Sequence, residues 1–174
     1  MSIERIYNPN TRWYVFFPEA ISDFENLSAA ELNEALASGL GYNITCAVNQ
    51  DGSNFDLGDS ETDDSLTFCQ VAGAANPTSE NPDITIEVEV SKDRLADNTA
   101  TKANALLAYP GVEYFFGLSV GEEPDAPLEA GDEIKLVRGE TDFGVPVIGS
   151  GENQRLSQAI MAREDVAWNV TLGA

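Results

Sequence analysis

The segment DITIEVEV, residues 83–90, sets Ile84, Ile86, Val88 and Val90 at every second position, with Asp83, Thr85, Glu87 and Glu89 between them. Side chains of a strand alternate between its two faces, so this spacing predicts a strand with one apolar and one acidic face. The same period recurs in RWYVFF (12–17), YNITCAV (42–48), SLTFCQV (65–71), VEYFFGLSV (112–120), DEIKLVR (132–138) and DVAWNVTL (165–172), all rich in aromatic and β-branched residues. In the last of these, Val166, Trp168, Val170 and Leu172 fall on one face and Ala167, Asn169 and Thr171 on the other. RLSQAIM (155–161) fits an eighth strand better than a short helix. So many short strands restrict the chain to the mainly β class, a β-sandwich or partial barrel.

Two segments depart from this period. In ENLSAAELNEALASG, Ser28 and Glu31 form a capping box, Leu27 and Leu32 occupy the positions of a hydrophobic staple, and Gly39 can close the helix in the left-handed conformation. Leu32 and Leu36 fall on its buried stripe. A second helix is expected from about Asn98 to Ala108, stopped by Pro110 and Gly111. The fold is therefore mainly β with one or two flanking helices. With 174 residues and no internal repeat or low-complexity tract, residues 1–174 read as a single domain.

Charge narrows the range of partners. Nine Lys and Arg stand against thirty Asp and Glu, a formal net charge of −21, and no basic residue lies between Arg12 and Lys92. Such a surface repels phosphate, which disfavours tight or sequence-specific nucleic-acid binding. The N-terminal sequence has no apolar signal region, and no run approaches the roughly 20 apolar residues of a membrane span, so no membrane role is expected. Cys46 shares a period-2 face with Tyr42, Ile44 and Val48, and Cys69 lies opposite Leu66 and Phe68. The two are expected as unlinked, mostly packed thiols.

An enzyme is not expected. The chain has no histidine, which removes the usual general base near neutral pH and most nucleophile-activating arrangements. No phosphate-binding or dinucleotide glycine motif occurs, and no cofactor or metal site is expected. The stretch NQDGSNFDLGDSETDDS (49–65) carries Asp51, Asp56, Asp59, Glu61, Asp63 and Asp64, but its spacing is not that of an EF-hand loop. It reads as a long solvated excursion between two strands, of a length that suggests a partner subunit.

Residues 27–70 resemble the N-terminal part of major tail (tail tube) proteins of long-tailed, siphovirus-type phages, particularly those of actinobacterial hosts. The resemblance rests on AAELN (Ala29, Ala30, Glu31, Leu32, Asn33), a short strand carrying Thr45 and Cys46, a turn at Asp51 and Gly52, the acidic loop, and a second strand with Thr67 and Cys69. LEAGDEIKLVRGET (128–141) resembles a later strand of the same proteins. EALASG follows AAELN where the family has an immediate glycine, a small insertion.

The resemblance implies a structural virion protein with a β-sandwich or partial barrel and a helix on its flank. Copies would assemble, in the host cytoplasm, into stacked, six-fold rings forming a hollow tail tube through which DNA is ejected without specific binding. Partners would be further copies and other tail proteins such as the tape measure and terminator. Within that picture Thr85, Glu87 and Glu89 would face the lumen, and Asp51, Asn54, Asp56, Asp59, Glu61 and Asp63 would contact a neighbouring subunit or ring. The alternatives are another β-rich virion module, such as a head decoration or neck connector protein, and a calcium-binding β-sandwich adhesion module, which rests on the acidic loop alone.

Overall fold

The computed structural model describes residues 11–57, 62–63, 76–77, 82–90, 95–121, 123–148 and 154–174, with the backbone alone at 62, 63, 76, 77 and 164. In chain order the described elements are β1 (Thr11–Phe16), α1 (Ala29–Ser38), β2 (Gly41–Asn43), β3 (Asn54–Leu57), β4 (Thr62–Asp63), β5 (Asn76–Pro77), β6 (Pro82–Glu89), α2 (Thr99–Leu107), β7 (Glu113–Val120), β8 (Glu133–Thr141), β9 (Val145–Val147) and β10 (Arg155–Thr171). Short 3-10 turns cover Pro18–Ala20 and Thr45–Ala47. An antiparallel sheet runs in the order β2-β1-β7-β8-β10-β6-β3, with β9 paired to the start of β10, while β4 and β5 pair separately. The mainly β class with two helices is as the alternation predicts.

The sheet curls until its two ends meet. Trp13 of β1 lies edge-on to Phe55 of β3 with ring centroids 5.7 Å apart. Val48 forms an antiparallel bridge with Val88 of β6, and the Asn49 N–H donates to the Glu87 carbonyl at 2.7 Å. These contacts close a partial barrel whose inner cluster includes Val15, Ile44, Phe55, Ile84, Ile86, Val88, Phe116, Val137 and Ile160, with Ala103, Leu106 and Leu107 of α2 packed into it. A second cluster on the other side of the sheet joins Tyr14, Phe16, Phe115, Ile134 and Leu136 to Leu27, Leu32 and Ala35 around α1. Apolar side chains therefore alternate between two cores along β1 and β7, which is why both read as nearly continuous aromatic runs.

α1 begins and ends where its caps place it. Ser28 Oγ accepts from the Glu31 N–H at 3.2 Å, and Gly39 closes the helix at φ 80°. The other half of the capping box does not form: Glu31 Oε1 accepts from the Ser22 N–H and hydroxyl at 2.8 and 2.6 Å, so the carboxylate secures the preceding loop instead. Leu27 and Leu32 are both buried, as a staple requires. Asn33 exchanges two hydrogen bonds with the backbone of Leu128, fastening the helix to the far side of the second core. α2 starts at Asn98, whose side chain accepts from the Thr101 N–H at 2.8 Å.

Three expectations need correction. Residues 42–48 are not one strand: Asn43 Oδ1 accepts from both the N–H and the hydroxyl of Thr45, and Thr45 Oγ1 accepts from the Trp13 N–H at 2.8 Å. These local bonds turn the chain after β2. Ile44 and Ala47 then point inward and Cys46 outward, so Cys46 is a free exposed thiol and not a packed one. Residues 155–161 and 165–172 are one strand, and its face alternation is broken. Pairing with β8 shifts between Ala162 and Val166 and again between Ala167 and Val170, where Asn169 adopts φ 55°. Val166 and Trp168 consequently pack on the inner core, but Val170 and Leu172 join the second. The third correction is that residues 49–65 are not a solvated excursion throughout, because β3 adds to the edge of β6 and buries Phe55. The expected strand at 65–71, with Cys69, lies outside the described residues.

Candidate assembly surface

The acidic face of β6 takes its form from what packs beside it. Ile84, Ile86 and Val88 are buried in the inner core, and Val90 lies just beyond the strand, half-buried. On the opposite face Thr85 is half-buried and Glu89 exposed. Glu87 is not a bare carboxylate: only 7% of its surface is accessible. The Arg155 guanidinium donates to its Oε1 at 2.7 Å, the Glu87 N–H donates to Ser53 Oγ at 2.9 Å, and its carboxylate sits against Gly52 so closely that a Cβ there would collide with it. Glu87 thereby anchors the Asp51–Gly52 turn at the base of the acidic segment.

Of the residues expected to reach a neighbour, Asp51 and Asp56 are exposed, and Asn54 donates from its side chain to the Asp83 carbonyl at 3.0 Å. Asp56 stands directly across from Asp83 in the β3–β6 pairing, two exposed carboxylates in register. Asp63 is placed by backbone only, in β4, while Asp59 and Glu61 lie outside the described residues. Among the described residues no group of three or more His, Cys, Asp or Glu is arranged to hold a metal ion.

The described basic side chains are all engaged within the chain. Arg12 pairs with Asp132 at 3.0 Å, Lys102 with Asp97 at 2.8 Å, Arg155 with Glu87, and Arg163 with Glu140. Arg138 bridges Glu113 at 2.5 Å and Asp165 at 2.9 Å, and these two carboxylates hold its pKa above the ordinary arginine value. The Lys135 ammonium sits 4.4 Å from the centroid of the Trp168 ring. Phosphate would meet acidic surface with no uncommitted cation among these residues.

Sequence reasoning missed two features. Arg12 is fully buried, donating to the carbonyls of Ala126 and Pro127, to Ser119 Oγ and to Asp132, which ties the start of β1 to the 126–132 segment. Beside it, burial pushes the Tyr14 phenol above its ordinary pKa, opposed by the Arg12 charge. Position alone cannot reveal a buried arginine at a strand start. The second feature is a set of exposed apolar side chains, Tyr109, Phe143, Val145 and Ile148, around the end of α2 and β9. Its only sequence signal is the apolar run within DFGVPVIGSG, too rich in Gly and Pro to pass for a core strand.

No curated protein matches the chain. A family model described as phage tail tube protein matches residues 1–174, its whole length, and the chain accordingly belongs to that family, as a structural component of the virion tail.

Proposed function

We propose that the chain, as a single domain, assembles in the host cytoplasm into stacked hexameric rings that form the tail tube of a long-tailed, siphovirus-type phage of an actinobacterial host. The genome passes through the lumen during ejection without binding. Further copies are the main partner, beside other tail proteins such as the tape measure and terminator. The observation that carries this reading, beside the family, is the commitment of every described basic side chain to its own chain: a conduit with free Lys or Arg on its wall would hold the duplex at each phosphate contact. In this reading the face of β6 with Thr85, Glu87 and Glu89 forms part of the wall, Glu89 being the exposed carboxylate. Asp51, Asn54, Asp56, Asp59, Glu61 and Asp63 border the contact with the next subunit or ring. Among the described residues the outer edges of β2 and β3 carry no further strand, and they gain from cover by neighbours, because open edges template unwanted pairing.

Negative-stain electron microscopy of the concentrated protein tests this directly. Rings or hollow tubes are the expected result, and a chain that stays monomeric at every concentration and with every nucleating tail component would overturn it.

A further inference from the structure

The first half of β1 is uncovered on one side. β2 pairs only with Tyr14–Phe16, so among the described residues no strand lies beside Thr11–Trp13 there. A pocket of about 370 Å³ opens at this place, lined by Thr11, Trp13, Thr45, Cys46, Val48 and Pro124 among others. Its walls are fixed. Thr45 Oγ1 accepts from the Trp13 N–H at 2.8 Å, Asn43 donates from its side chain to the Pro124 carbonyl at 2.7 Å, and Val48 bridges to Val88 of β6. Trp13, Val48 and Pro124 are half-buried, which leaves apolar surface open to solvent. The rim is acidic: Asp51 follows the lining residue Gln50, Glu123 and Asp125 flank Pro124, and all three carboxylates are exposed. No described lining residue is basic.

The chain itself enters at this pocket. Residues 1–10, MSIERIYNPN, lead into Thr11, which is part of the lining. They hold the apolar residues Ile3, Ile6 and Tyr7, and Arg5 is their one cation. Asn8–Pro9 is a turn-initiating pair, suited to sending the residues before it back over the start of β1. Tyr7 stands four residues before Thr11, a reach of up to roughly 14 Å. Space suffices for its ring, since a cavity of roughly 150 Å³ holds a benzene molecule.

We propose that residues 5–7 dock in this pocket of their own chain, with the Tyr7 ring on Trp13, Val48 and Pro124 and the Arg5 guanidinium at the carboxylates of Asp51, Glu123 and Asp125. Attachment and charge both favour this occupant. A short tether holds the segment at an effective concentration on the order of millimolar. The same residues of another copy would arrive on a body of net charge −21 and be repelled before contact. Docking buries roughly 150–250 Å² of aromatic surface and covers Cys46, capping the seam where β1 meets β3.

The test uses the full chain with Cys69→Ser, which leaves Cys46 as its only thiol, at a dilution where gel filtration shows monomer. Labelling of Cys46 by iodoacetamide is expected to be slower by roughly tenfold than in the same chain with Arg5→Ser and Tyr7→Ser, both chains being folded by circular dichroism. Equal labelling rates overturn the proposal. A second measurement adds Tyr7→Cys and oxidises with oxidised glutathione. A disulfide from position 7 to Cys46 within one chain is expected, and trypsin, cutting at Arg5, Arg12 and Lys92, then releases residues 6–12 joined to 13–92. Links between chains in its place would show that a neighbouring copy's segment takes the pocket, and no link would show that the segment lies elsewhere; either result overturns the proposal. The docking is a property of the single chain, so its failure leaves the tube reading as it stands.

Discussion

Glu87 and Arg155, 68 residues apart in sequence, meet across the β6–β10 pairing at 2.7 Å, and the pair lies over the turn that begins the acidic segment. The most regular acidic stretch in the chain is therefore acidic in two different ways: Glu87 is a buried structural anchor and Glu89 an exposed charge. Glu87→Ala removes the carboxylate to which the Arg155 guanidinium donates and that packs on Gly52, while the Ser53 bonds to the residue-87 backbone stay, and is expected to destabilise the fold by about 1–3 kcal/mol. Glu89→Ala should change stability by no more than about 0.5 kcal/mol. Urea denaturation of the two variants measures the contrast, and equal effects would refute the division of roles.

If the β6 face lines the lumen, Glu89→Lys is the substitution that probes it, since it adds a cation without breaking the buried pair. Particles built from this variant should assemble normally but retain or slow DNA at low ionic strength, with the effect fading as salt is raised. Ejection assays across a salt series test this. Ejection at the parental rate in low salt would show that this face lies elsewhere.

Phe55 places part of the acidic segment in the core. Its ring contacts Trp13 and Trp168, with both centroids 5.7 Å away, so it links the two ends of the curled sheet. Phe55→Ala is expected to cost about 3–5 kcal/mol, and removing residues 53–63 should abolish folding together with assembly. A deletion variant that remained folded, by circular dichroism and cooperative melting, would show that β3 is dispensable.

Asn169 holds the bend in β10 with φ 55°. An L-residue other than Asn or Gly pays roughly 1–2 kcal/mol for that conformation, most of all when β-branched. Asn169→Val should lower stability by about that amount, and Asn169→Gly should be close to neutral. Thermal melts of both variants decide the matter, and a Val variant as stable as the Gly variant would mean that the bend relaxes.

Local chemistry was enough for much of this molecule. Ser28, Leu27, Leu32 and Gly39 specify the ends of α1 by contacts within a few residues, and the alternation in residues 83–88 gives β6 its buried face before any partner strand is known. The net charge of −21 likewise disfavours a nucleic-acid reader from composition alone. Alternation misled at 42–48 and 165–172, because side-chain bonds from Asn43 and Thr45 and a positive φ at Asn169 override a period that counts only apolar residues. Of the candidate surface, the sequence marked which residues are acidic but not which remain exposed.

That distinction belongs to tertiary structure, for a physical reason. Whether a carboxylate is a free charge or an anchor depends on a cation brought from far along the chain, as Arg155 is to Glu87 and Asp132 to Arg12. Whether Phe55 is a loop residue or a core residue depends on the sheet curling far enough for β3 to meet β1. Whether Phe143 is buried depends on the short break between β8 and β9, pinned by Gln158, which leaves it outside both cores. Strand period and helix caps are set by neighbours in sequence, and the sequence determined them; pairing, closure and exposure are set by neighbours in space, and only the folded chain decided those.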